Sequence, residues 1–134
     1  MSAAPKILVV DDEPHIRQAL QAAFEQAGYR VRCEADGRAG VTACLDWRPD
    51  LVLMDVIMPG ELDGHAASIE IKYDEQLQAT PLLFLSADSS EESRSAGLGH
   101  GAEAYVTKPF VLDDLLTRVR GILQPLGAPP AEEA

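Results

Sequence analysis

The chain has 134 residues, 46% of them hydrophobic, with a formal net charge of -11. That size suits one ordinary domain around a single buried core, and no second domain is needed. The acidic balance argues against a domain that grips nucleic acid by itself, since backbone phosphates demand a basic surface.

No apolar run approaches the roughly 20 residues of a membrane span. The opening MSAAPK lacks the apolar segment of a secretory signal. The expectation is therefore a soluble, cytoplasmic protein with no membrane partner. Cys33 and Cys44 show no paired spacing. Each falls where a small buried apolar residue would serve, in preference to a metal site or a disulfide.

In chain order, KILVV (6–10) is a continuous apolar run ending at Asp11 and reads as a strand. Ile16, Leu20, Ala23, Phe24 and Ala27 then recur at helical spacing over 14–27, and Gly28 supplies a C-terminal stop. YRVRC (29–33) alternates polar and apolar residues, as a half-covered edge strand should. Asp36 can cap a second helix whose inner face is Val41, Cys44 and Leu45. LVLM (51–54) is the third strand. A helix from Asp63-Gly64 to about Tyr73 follows, with a weak apolar stripe. PLLFL (81–85) is the fourth strand, 90–98 a short polar helix, and AYVT (104–107) the fifth strand. The last helix carries Leu112, Leu115, Leu116, Val119, Ile122 and Leu123 on one face. Its Asp113 and Asp114 lie early and its Arg118 and Arg120 late, as the helix dipole prefers. The pattern places one domain over 1–124 and a flexible tail or linker over 125–134.

Five strands, each followed by a helix, imply an α/β fold with a parallel sheet covered on both faces. Ligands of such sheets bind beyond the carboxyl ends of the strands. There the chain places Asp11 and Asp12 after the first strand, Asp55 after the third, Ser86 after the fourth and Lys108 after the fifth. Singly these have ordinary readings, as a helix cap, a turn serine or a solvated loop lysine. Their convergence at one sheet edge is what carries weight. Three close carboxylates repel one another unless cations are present. Lys108 supplies one charge, and an all-oxygen site suits magnesium better than zinc. Such a site fits phosphoryl transfer, with a carboxylate able to act as nucleophile.

ILVVDDEP, LVLMDVIMP, LSAD and AYVTKPF, in that order over residues 6 to about 124, resemble a response-regulator receiver domain of two-component signalling. The resemblance implies a flavodoxin-like, doubly wound sheet of order 2-1-3-4-5. It also implies that Asp55 takes a phosphoryl group from a histidine kinase or phosphotransfer protein. Asp12 and Asp55 would ligate Mg2+ directly, Asp11 through water, and Ile57 through its backbone carbonyl. Lys108 and Ser86 would meet the phosphoryl oxygens, and Tyr105 would be the aromatic switch partner of Ser86. The fourth helix, fifth strand and fifth helix would be the responding surface and a possible homodimer contact. Catalysis would be confined to the protein's own Asp55, which is not a metabolic activity.

Three departures stand out. Gly60, Glu61 and Leu62 separate Pro59 from Asp63, one residue more than the family turn usually carries. The third helix is weakly striped, and Val111 replaces a polar cap before the last helix. Ile57 and Asp88 are expected on opposite rims of the phosphoryl site, with Ile57 screening it from water. His15, His65 and His100 read as surface residues, His15 near the site rim. A degenerate, phosphorylation-independent module of the same fold is the main alternative. An aspartyl phosphatase lacks its second acid at Val56-Ile57, and a flavin carrier would have its phosphate repelled by Asp11-Asp12-Glu13.

Overall fold

In the computed structural model, which describes residues 4–123, five strands and five helices alternate. They are β1 (Lys6–Val10), α1 (Pro14–Gln26), β2 (Arg30–Glu34), α2 (Gly37–Trp47), β3 (Leu51–Met54), α3 (Gly64–Tyr73), β4 (Leu82–Ser86), α4 (Glu91–Gly99), β5 (Ala104–Thr107) and α5 (Leu112–Leu123). All strand pairs are parallel, in the order β2-β1-β3-β4-β5. This is the doubly wound, flavodoxin-like sheet. The tail expected over 125–134 lies outside the described residues.

The central strands are apolar because both of their faces are covered. Ile7, Val9, Leu51, Leu53, Leu83 and Leu85 join Leu20, Phe24, Leu115 and Val119 of α1 and α5 in one buried cluster. Leu8, Val10, Val52, Met54, Leu82 and Phe84 point the other way, into a cluster with Val41, Ala43, Cys44, Ala67, Ile71 and Tyr105. The two-residue period of a strand thus sorts the side chains between two helical layers.

Several boundaries and faces differ from expectation. β2 begins at Arg30, because the Tyr29 N–H bonds back to the Phe24 carbonyl and its ring meets Phe24 edge-on. Pro81 has no N–H for the ladder, so β4 begins at Leu82 and extends to Ser86. Ser90 is the cap of α4 rather than its first residue, accepting the Ser93 N–H. Leu45 is exposed, and the inner face of α2 is completed by Gly40 and Ala43 instead. A Cβ at Gly40 would meet Val10 at 2.9 Å, so close approach to the sheet replaces a larger side chain. Ala27 and Leu112 are also exposed, each at the end of its stripe. Gly28 has φ +101°, as a helix stop requires. Burial pushes the Cys44 thiol up to about 12, which leaves it inert in the core.

Candidate functional site

Backbone hydrogen bonds carry the sheet one step past its strands and so aim the polar residues. The Asp55 N–H donates to the Val10 carbonyl, the Asp11 N–H to Glu34 and the Lys108 N–H to Ser86. Asp11 and Asp55 are therefore fixed at one edge, 2% and 4% exposed. Asp12 beside them is exposed. One carboxylate oxygen from each of Asp11, Asp12 and Asp55 lies within 4.8 Å of the others. Lys108 reaches in from the end of β5, followed by a cis Lys108–Pro109 peptide. Its Nζ donates to Asp11 Oδ2 at 2.9 Å, Glu13 Oε1 at 2.8 Å and Asp55 Oδ2 at 3.1 Å.

The charges tune one another. Burial and the neighbouring Asp11 push the Asp55 carboxyl above the usual carboxylate range, against the pull of Lys108 and the Ile57 N–H. Burial opposes the Lys108 ammonium as well. Its bonds to Glu13 and Asp11, with the charges of Asp11 and Asp55, outweigh that cost and hold it above the ordinary lysine value. The same bond from Lys108 lowers Glu13.

The helix after the site is seated directly on it. The Gly64 N–H donates to the Val56 carbonyl at 2.8 Å, and Asp63 caps α3 by accepting the Ala66 N–H. A Cβ at Gly64 would stand 2.0 Å from the Asp55 carbonyl oxygen, so only glycine fits this approach. The longer Pro59–Asp63 turn is absorbed by Gly60, at φ +95°, and by burying Leu62 against α2. Val111 carries no polar side chain, yet its carbonyl accepts the Leu115 N–H and α5 forms from Leu112.

Ile57 (59% exposed) and Asp88 line one cleft of about 550 Å³, together with Val56, Met58, His65 and Ser93. Ser86 is fully buried, its Oγ accepting the Asp88 N–H at 3.1 Å. Hydrogen bonds from Ser90 hold the Asp88 carboxyl below its usual range. Tyr105 is buried, with its hydroxyl 2.8 Å from Ser93 Oγ.

Glu13 and Ser93 join these contacts although neither stands out in the sequence, and His65 lies deeper than its sequence context predicts. Glu13 shares Lys108, and its signal was an acid directly following the Asp pair. Ser93 carried no signal of its own in a polar helix. His65 is half-buried rather than a free surface residue. Its ring packs on Phe84 at 5.1 Å, Nε2 meets Ser93 Oγ at 3.0 Å, and Nδ1 is buried with no hydrogen-bond partner among the described residues. Its place one residue into α3, just after Gly64, turns it toward α4. His15 is exposed at the rim, 3.4 Å from Glu13, and His100 is exposed.

Residues 7–120 match the family described as the response regulator receiver domain. The chain belongs to that family. Among relatives, this receiver domain is 34% identical over 120 residues to the DNA-binding dual master transcriptional regulator RpaA of Synechocystis sp. That match covers 90% of the chain and 49% of RpaA, so the receiver chain spans about half the length of this curated relative. Chemotaxis protein CheY4 of Vibrio cholerae superposes with a TM-score of 0.84 at 33% identity, covering 90% of this chain and all of that one. The receiver domain of a Pseudomonas aeruginosa sensor histidine kinase superposes at 0.82 and 32% identity, over 90% and 98% of the two chains. That structure holds a magnesium ion in its active-site cleft. Receiver domains work with histidine kinases or phosphotransfer proteins. Among the described residues no helix is long and apolar enough to cross a membrane.

Proposed function

We propose that Asp55 accepts a phosphoryl group from a phosphohistidine of a kinase or phosphotransfer protein. An Asp55 carboxylate oxygen attacks phosphorus, the new O–P bond forms as the N–P bond breaks, and the histidine nitrogen takes a proton. The observation that carries this reading is the convergence of Asp11, Asp12 and Asp55 with one shared ammonium, Lys108. Neutralising charge on equatorial oxygens is most of what this reaction needs.

Hard carboxylate oxygens clustered this closely, with Asp55 raised by burial and by Asp11, fit a divalent cation of the magnesium type. Asp12, Asp55 and the Ile57 carbonyl would hold Mg2+ directly and Asp11 through water. The ion would supply charge neutralisation at the transferring oxygens. Lys108 and Ser86 meet those oxygens, and Tyr105 follows Ser86 as the switch. The surface of α4, β5 and α5 then changes its affinity for partners, a second copy of the chain among them. DNA binding, named for RpaA, belongs in this reading to sequence outside the acidic receiver domain, which works in the cytoplasm. Catalysis is limited to the protein's own phosphorylation and dephosphorylation. A phosphorylation-independent module would have no use for the complete set Asp11, Asp12, Asp55, Ser86 and Lys108.

Incubation with magnesium and acetyl phosphate, followed by intact mass measurement, tests this. Wild type should gain one base-labile phosphoryl group and Asp55→Ala none. A wild type that gains nothing and does not respond to beryllofluoride would end the proposal.

A further inference from the structure

We propose that Glu13 competes with the phosphoryl group for Lys108, and so sets how tightly the acceptor site holds that group. This rests on reading Asp55 as the phosphoacceptor. A lysine ammonium has three N–H donors. Here three carboxylates take Nζ, at 2.9, 2.8 and 3.1 Å. Once Asp55 carries the group, the donor that Asp55 Oδ2 holds can pass to a phosphoryl oxygen, and a second Lys108 donor comes free only when Asp11 or Glu13 leaves.

The surroundings decide which one leaves. Asp11 is buried at a strand end, and its Oδ1 also accepts the Glu13 N–H at 2.9 Å. Its carbonyl accepts from the Arg17 guanidinium at 2.7 Å, which fixes the residue further. Glu13 differs. It lies in the connection before α1, and its side chain is 42% exposed. Its second oxygen already faces His15 Nε2 at 3.4 Å. Water and His15 can receive the freed carboxylate, so its departure costs little, whereas moving Asp11 would disturb buried main chain. Glu13 thus holds Lys108 in place while the acceptor is free and yields when it is charged.

The test is titration of wild type, Glu13→Gln and Glu13→Asp with beryllofluoride at saturating magnesium, read as bound fluoride by 19F NMR. Magnesium saturation is set for each variant by its own titration. Glu13→Gln should bind the analogue about two- to fivefold tighter, the scale of a released exposed ion pair. Glu13→Asp keeps the charge but is one methylene short of Lys108, and it too should bind tighter than wild type. Equal or weaker binding by Glu13→Gln overturns the competition. So does a Glu13→Asp protein that matches wild type while Glu13→Gln gains, since charge repulsion alone would then account for the effect. If wild type and both variants fail to bind at all, the phosphoacceptor reading falls and takes this one with it.

Discussion

The Tyr105 hydroxyl donates to the main-chain carbonyl of Asp88, and the Asp88 N–H donates to Ser86 Oγ. The aromatic ring of β5 is thereby tied to the loop that positions the buried hydroxyl at the end of β4. Ser93 Oγ on α4 is the second partner of Tyr105 and the partner of His65 on α3. Four elements meet in one polar chain inside an otherwise apolar layer. Such chains are worth more intact than the sum of their parts. Ser93→Ala and Tyr105→Phe should each lower unfolding free energy by about 1 kcal/mol in urea titration. The double variant should lose less than the sum, because both changes break one shared bond. Additive losses would mean that the two hydroxyls act independently.

His65 presents the opposite case. One ring nitrogen is buried with no partner among the described residues, which costs free energy, while the ring packs well against Phe84. His65→Leu keeps apolar volume and removes the orphan nitrogen, but also leaves Ser93 one partner fewer. The balance should lie within about 1 kcal/mol of wild type. His65→Ala, which also opens a void, should cost about 2 kcal/mol or more. Thermal unfolding of both variants separates packing from hydrogen bonding here.

Gly64→Ala should be among the most disruptive small changes in the chain. The added Cβ has no flexible neighbour to displace, since it meets the Asp55 carbonyl oxygen at 2.0 Å and Val56 Cα at 2.7 Å. Either α3 or the end of β3 must shift. A loss of about 3 kcal/mol is expected in denaturant titration, with weaker magnesium binding because the shift reaches the Asp55 backbone.

Much of this fold was legible because its central strands are nearly pure apolar runs that end in a charge. KILVV-Asp11 and LVLM-Asp55 declare both the strand and the edge where the site lies. Strands also fix where Asp11, Asp55, Ser86 and Lys108 fall in the fold, so their placement at the strand ends could be read by counting. What was hidden depends on three-dimensional approach. The inner face of α2 uses Gly40 and Ala43 against Val10, and no hydrophobic stripe announces such a contact. His65 looked like a polar surface residue because burial of its ring depends on where α4 lies. The pairing of Glu13 with Lys108 spans residues far apart in sequence, and loop geometry alone decides it.

Asp55 should make apparent stability depend on pH in a direction unusual for a carboxylate. Its folded-state carboxyl lies above its unfolded value, through burial and Asp11. The native state therefore binds the proton more tightly, and stability falls as pH rises from the ordinary value of 3.8 through the raised one. Asp55→Asn removes that penalty, while Lys108 keeps Asp11 and Glu13 as partners. Without divalent ions the variant should melt higher than wild type at pH 7 to 8, and the gap should close as pH falls toward 4. A gap that widens in acid would mean that the Asp55–Lys108 pair is net stabilising.

Ile57 should govern how long a phosphoryl group on Asp55 survives. Its side chain is mostly exposed, and its N–H is bonded to Asp55 Oδ1, so the residue sits over Asp55 while facing solvent. An apolar side chain there offers no group to orient a water for in-line attack on phosphorus. Asn of similar size can hydrogen-bond that water and should speed hydrolysis by up to about tenfold, or about 1.4 kcal/mol of barrier. Ile57→Val keeps the apolar character and should decay at nearly the wild-type rate. Both are read by following the loss of the phosphorylated mass after removal of acetyl phosphate. If Ile57→Asn decays at the wild-type rate or more slowly, Ile57 does not screen the site, and lifetime must be set by Asp88 or the longer Pro59–Asp63 turn.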